Sequence, residues 1–401
     1  MSKYQIEQQI ISPDDPGFLS ALARAHGGHV RPLCLCCSPG VQMYVAKVGA
    51  QFIVKRMPNT GKLHHMQCDS YEPPEELSGL GQVDGTAIQE DTQTGETTLK
   101  FNFSLTKAAG KKAPKPSDTP VDTVKTDGTK LTLTSTLHYL WEQAGFNRYT
   151  PAMAGKRSWS VIRKYLLQAA SDKLAKGQNL ANVLYIPETF FLDKKDDIVH
   201  RRRAIMNPLA ADSGTRKLMI VVGEVKEIGP SRYGYKVVFK HLADCHFMMN
   251  EDLHKRLQKR FEAHLQLWDA LEKTHLVLVG TFSVSRAGVP SLEEMALVNM
   301  NENWIPFENV IEHQLLEALT ENRRSFIKGL RYNLPANKPI AAAVLSDTGD
   351  KPTALYLTHD DDAGLMEQTE ELITNSHLNA WRWNMKEVMP DLPQFYSVKV
   401  V

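Results

Sequence analysis

The chain has 401 residues, with 47 Lys and Arg set against 46 Asp and Glu, a formal charge of +1. Hydrophobic residues make up 42% and charged residues 23%, which excludes wholesale disorder and a collagen-like chain. The length suits two to four domains of about 100–200 residues each. No stretch approaches about 18 uninterrupted apolar residues, so neither a membrane span nor a membrane partner is expected. The opening run MSKYQIEQQIISPDD has no apolar signal core and no Arg-rich transit character, which predicts a cytoplasmic protein. The balanced charge gives no global attraction to nucleic acid, so any such role must rest on local patches.

Of five cysteines, Cys34, Cys36, Cys37 and Cys68 fall within 35 residues, and Cys245 lies far along the chain as a core thiol. In a reducing compartment that density points to metal before disulfides. Between the clusters the sequence predicts a strand at Met43–Ala46, a turn near Gly49, and a strand at Gln51–Arg56. A turn at Asn59–Gly61 then leads to His64-His65-Met66-Gln67-Cys68. A hairpin of this kind brings Cys34 and Cys36 beside His64 and Cys68. Three thiolates and one imidazole suit a closed tetrahedral zinc ion, structural rather than catalytic because no position stays open. Residues 30–80 hold few large apolar side chains, so the ion would supply folding energy that the core does not. Cys36 competes with Cys37 for one position, and His64 with His65 for another; the bland alternative is a group of thiols without metal.

Residues 75–105 alternate glycines with short β-type runs, and 107–129 is a Lys-, Pro- and Thr-rich linker. Leu133, Leu137, Leu140 and Trp141 recur at helical spacing, and a second helix is predicted over Ser158–Lys176. Two helices followed by a β-like run suggest a winged-helix-like unit. Seven basic residues and one acidic fall between 148 and 176, and His200-Arg201-Arg202-Arg203 adds a second cluster. Arg157, Arg163, Lys164 and Arg201–Arg203 are the candidate phosphate contacts. Trp159 is either a stacking platform for a base or a core indole.

Residues 216–300 read as α+β: strands in RKLMIVVGEVKEI and RYGYKVVFKHL, one helix over NEDLHKRLQKRFEAHLQLWDALEK capped near Asn250, then a strand in THLVLVGTFSVS and a strand or short amphipathic element in SLEEMALVNMN. Beyond them a helix over about Asn309–Asn322, strands in 339–347 and 353–362, and a helix at Leu365–Asn375 are predicted. The whole is an α+β chain of five stretches. Residues 1–105 form a zinc-hairpin and β-rich module, 106–130 a flexible linker, and 131–205 a winged-helix-like basic module. Residues 206–300 form an α/β module, and 301–401 a C-terminal α/β module.

Two places can be tested against magnesium-dependent nucleases, which need an Asp and a Glu-x-Lys on adjacent strands. The first is Asp212 with Glu224 and Lys226. The second is the C-terminal stretch, whose helix–strands–helix order around Asp347 suits a restriction-endonuclease-like fold. There, however, Leu355-Tyr356-Leu357-Thr358 stands where Glu-x-Lys should, which predicts a non-catalytic module. No phosphate loop, dinucleotide fingerprint, nucleophile elbow or H-E-x-x-H is present.

The runs RPLCLC, KRMPNTGKLHHMQCDSYEPPEELSGLG, GEVKEIGPSRYGYKVVFKHL, NWIPFENVIEHQLLEALTENRRSFIKGLRYN and AVLSDTGDKPTALYL resemble the bacterial family catalogued as domain of unknown function 1173. The resemblance covers about residues 30–395. It implies a setting on conjugative plasmids and integrative elements, with Cys34, Cys36, His64 and Cys68 as the paired positions and Cys37 and His65 as extras. It supplies no catalytic residues. The reading that follows is a zinc-containing, nucleic-acid-binding protein of a mobile element, with nucleic acid and other mobile-element proteins as partners. The alternatives are a magnesium-dependent nuclease and a protein–protein adaptor of a conjugation or defence complex.

Overall fold

The computed structural model of the protein describes residues 3–48, 51–107, 128–210, 215–359 and 361–396. Most of the predicted linker, Gly49 and Asp212 lie outside the described residues. The β-branched and aromatic residues of VQMYVAKV and QFIVKR form the predicted hairpin, strands Val41–Val48 and Gln51–Arg56, in register from Met43↔Arg56 to Val48↔Gln51. It joins Gln9–Ile11, Tyr4–Ile6 and Leu33–Cys34 in a five-stranded sheet. Helix Phe18–Gly27 lays Ala21, Leu22 and Ala25 against Ile6, Ile11 and Val45. Those six side chains are a small core, well short of what holds a sheet and helix together unaided.

The middle of the chain closes on itself. Strand Met219–Ser231 has thirteen residues and serves two partners. Met219–Glu224 pairs antiparallel with His275–Val284, and from Val225 onward the strand pairs antiparallel with Gly234–Phe239. A bulge at Lys226 marks the changeover, bending the strand where it leaves one neighbour for the other. Gly234–Phe239 then pairs with Phe247–Met249, which meets Pro290–Met300 in parallel. Pro290–Met300 returns antiparallel to His275–Val284. Taken in chain order, the five strands close a barrel in the spatial order first, second, third, fifth, fourth and back to the first. Helices Glu251–Arg260 and Glu262–Ala270 connect the third strand to the fourth. Phe239, Phe247 and Phe282 pack edge to face inside. Gly223 is required there, because a Cβ on it would stand 2.5 Å from the Phe239 ring.

Helix Leu133–Gln143 has the predicted apolar stripe, yet nearly all of it is buried, from Leu133 to Trp141 with only Thr134 in between less so. It packs on the barrel strands 275–284 and 290–300, and Trp141 Nε1 donates to the Trp304 carbonyl. Helix Trp159–Ala170 stops six residues before the predicted end. Lys173–Ala175 turns instead into a strand, parallel to Thr97–Leu99 and hairpinned to Gln178–Asn179. The turn Lys176-Gly177 has positive φ at both residues, the hairpin geometry that a Gly in second place favours. One hydrophobic cluster runs from Val83 to Tyr332, so residues 83–105, 131–205 and 206–300 share a core.

The C-terminal sheet has the order Asn379–Asn384, Thr353–Thr358, Ala343–Leu345, Phe326–Lys328, Arg148–Tyr149. Only its first two strands are parallel to each other. Helix Val310–Glu321, capped by Asn309, precedes the three antiparallel strands, and helix Ala363–Ser376 leads to the last one. The sequence reading had no strand at Asn379–Asn384. It forms because Trp381 and Trp383 share one face and bury against Leu355 and Phe326.

Candidate metal centre

Cys34 ends the strand Leu33–Cys34, and Cys36 follows in the turn that leads to Val41. The hairpin carries the chain back to a short helical turn, Gly61–Leu63, which sets His64 facing them, and the turn after it sets Cys68. One ligand atom from each of Cys34, Cys36, His64 and Cys68 lies within 4.8 Å of all the others. Sγ of Cys34 stands 3.7 Å from Sγ of Cys68, and Nδ1 of His64 stands 3.4 Å from Cys36 Sγ and 3.7 Å from Cys68 Sγ. Metal–sulfur bonds of about 2.3 Å in a tetrahedron give sulfur–sulfur edges of about 3.8 Å, so the spacing fits one zinc-sized ion. The amides of His65 and Ser70 donate to Cys36 and Cys68, as thiolate sulfurs require.

Electrostatics point the same way. Without a cation the hydrogen bonds of the cluster favour a thiolate at Cys68 over one at Cys34 or Cys36. Cys68 is lowered to about 5, chiefly by the hydrogen bond from Cys34. Cys34 is pushed far above the thiol range by that same bond and then by burial, and burial raises Cys36 to about 11. A divalent ion reverses this, because it stabilises all three thiolates at once. Binding is therefore expected to release the two thiol protons of Cys34 and Cys36, so affinity rises with pH above the Cys68 value. Titration calorimetry in buffers of different ionisation enthalpy measures that release; a proton count of zero contradicts it.

Position separates the neighbours: Cys36 and His64 fall within the cluster, and Cys37 and His65 fall outside it. Cys37 Sγ turns away to the Leu63 carbonyl, and His65 is exposed with Nδ1 accepting from the Gln67 amide. Cys245 is half-buried against the barrel core.

The basic side chains divide into two groups. Arg157 donates to the carbonyls of Phe146, Arg148 and Asn303, and burial lowers it to about 10. Trp159 is 4% exposed and donates to the Pro187 carbonyl, so its indole is a core group. Arg163 Nε donates to the Ile186 carbonyl, Arg202 makes two bonds to Asp244, and Arg201 pairs with Glu188. Lys164 and Arg203 are exposed. Helix Trp159–Ala170 carries no carboxylate, and no side chain caps its N-terminus.

Glu224 is 4% exposed, and its Oε1 accepts from Lys240 Nζ at 2.5 Å and His275 Nδ1 at 2.6 Å. Burial alone would raise its carboxyl, but those two donors hold it below the usual range. Lys226 sits in the bulge, exposed, outside this arrangement. Asp347 is likewise occupied. Its carboxylate accepts from Arg324 Nε and Nη2 and from the Ser325 amide, and nothing on Thr353–Thr358 supplies a second acidic group.

The sequence reading missed Arg232 and Tyr233, at the hairpin between the first two barrel strands, where Tyr233 is 77% exposed. The signal was present in SRYG. An aromatic at a two-residue hairpin tip has no core to enter.

These observations define an α+β protein of several sheets with a Cys3His cluster that can hold a metal such as zinc. The chain belongs to the family described as Protein of unknown function (DUF1173), whose profile matches residues 4–386. No curated protein and no solved structure matches it. Among the described residues no helix is long and apolar enough to cross a membrane.

Proposed function

We propose that the protein binds nucleic acid in the life of a mobile element, and that the Cys3His cluster holds a structural zinc ion that orders its N-terminal sheet. The observation that carries the reading is the five-stranded barrel. A closed sheet in the order 1-2-3-5-4, with a helical connection between the third and fourth strands, is the oligonucleotide- and oligosaccharide-binding architecture. Fold order supplies a class of ligand and not a site. The exposed cations Lys164, on the second helix of a winged-helix-like order of two helices and a hairpin, and Arg203, on the following helix Lys195–Met206, add phosphate-binding capacity. The C-terminal order of helix, three antiparallel strands, helix and parallel strand supports a restriction-endonuclease-like module. With Asp347 committed to Arg324, that module is read as non-catalytic.

Three or more phosphate contacts predict an affinity that falls about tenfold or more between 50 and 200 mM salt. Anisotropy titrations of the zinc-loaded chain with labelled oligonucleotides measure it. Binding that ignores salt, or none at all, favours the adaptor reading instead.

A further inference from the structure

The barrel has a face that fits one kind of ligand. Lys236 and Met248 are paired in register across the second and third strands, and both are partly exposed. Their neighbours Val237, Phe247 and Met249 are buried, so alternation turns Lys236 and Met248 outward. Two loops open onto this surface. The hairpin Arg232-Tyr233 enters the second strand at Gly234, beside the Tyr235↔Met249 pair, and the loop Ser285–Val289 enters the fifth strand next to the Met248↔Ser291 pair. Gly234, at φ +94°, makes the first of these turns; a Cβ there would meet the Met249 carbonyl at 2.8 Å.

The loop tips carry the chemistry. Tyr233 is 77% exposed, and the Arg232 guanidinium lies 5.4 Å from its ring centroid. Val289 is 40% exposed on the facing loop, which also contains Arg286. Lys236 Nζ is 3.4 Å from Glu227, a loose pair whose carboxylate is half exposed, so its charge remains available to a phosphate. An exposed aromatic backed by cations suits an unstacked base and its phosphate. A duplex hides its base faces, and a neutral saccharide gains nothing from the cations.

We infer that the surface formed by Arg232, Tyr233, Lys236, Met248 and Val289 is a docking site for single-stranded nucleic acid. Tyr233 stacks on a base, and Arg232 and Lys236 face the backbone. This rests on the nucleic-acid reading above and names its ligand and its site. Tyr233 is at the surface, so its replacement leaves the core intact.

The test is anisotropy of the full zinc-loaded chain with labelled oligothymidine and oligouridine of about 15 nucleotides and with a duplex of the same length. Single strands are expected to bind about tenfold or more tighter than duplex, and Tyr233→Ala with Arg232→Ala to weaken them about tenfold or more. Tyr233→Phe, which keeps the ring, is expected to stay within about twofold of the parent. If single strands bind but the loop variants match the parent, and Lys164→Ala with Arg203→Ala removes the binding, the nucleic-acid reading stands and the barrel site is wrong. Equal or tighter duplex binding also overturns it. If no oligonucleotide binds at low salt, both readings fall together.

Discussion

Cys68→Ser is expected to leave the protein without stoichiometric zinc and to open its N-terminal sheet. Cys68 is the thiolate that the cluster stabilises even before a cation arrives, and it contacts both Cys34 and His64. The six-residue core beneath the sheet cannot replace the ion. Structural zinc contributes an apparent binding free energy of about 10–16 kcal/mol in small metal-ordered modules, comparable with the whole stability of a domain. The barrel has a separate and much larger core, so the damage should be confined. Metal analysis and limited proteolysis together check this. Cleavage should concentrate before about residue 75 in Cys68→Ser, while Cys37→Ser and His65→Ala keep both zinc and protease resistance. A serine variant with a full zinc complement, or an undisturbed digest, would refute the assignment.

Asp347→Asn is expected to destabilise the C-terminal sheet by about 3–5 kcal/mol, the usual cost of leaving one member of a buried ion pair alone. Arg324 is 3% exposed and Asp347 7%. The guanidinium reaches Asp347 through Nε and Nη2, and its Nη1 donates to the Pro393 carbonyl, pinning the C-terminal strap. Asparagine keeps the shape and removes the charge that Arg324 was buried against. A urea titration followed by tryptophan fluorescence reads the change, since Trp381 and Trp383 lie in the same sheet. Pairing Asp347→Leu with Arg324→Met should recover much of the loss, because no charge is then stranded. A shift below about 1 kcal/mol in the single variant would mean that the pair is not the structural clamp described.

The metal cluster was legible because its signal is local. Two thiols, a hairpin of fixed length and a His-x3-Cys turn specify where the chain must return. The start of the helix at Glu251 was legible for a similar reason, since Asn250 caps it and Leu253 and Leu257 mark its buried face, whereas the single helix expected through residue 273 breaks at Phe261 into Glu251–Arg260 and Glu262–Ala270. The basic positions were read by residue type, and type does not fix their surroundings. Arg157 and Arg163 spend hydrogen bonds on carbonyls left free by neighbouring turns, and Arg202 on a carboxylate 42 positions away. Spacing alone carries no trace of those partners.

The sequence by itself determined the element types through most of the chain, and it narrowed the grip on one ion to Cys34, Cys68, one of Cys36 and Cys37, and one of His64 and His65. Each depends on residues close together along the backbone. Only the tertiary structure decided that five of the strands close into a barrel, that helix Leu133–Gln143 lies buried against it, and which cations still face water. Closure needs Met219–Ser231 to divide its hydrogen bonds between strands on either side of it, one of them more than 40 residues away. An alternating pattern says that a strand has a buried face; it does not say which strand lies beside it.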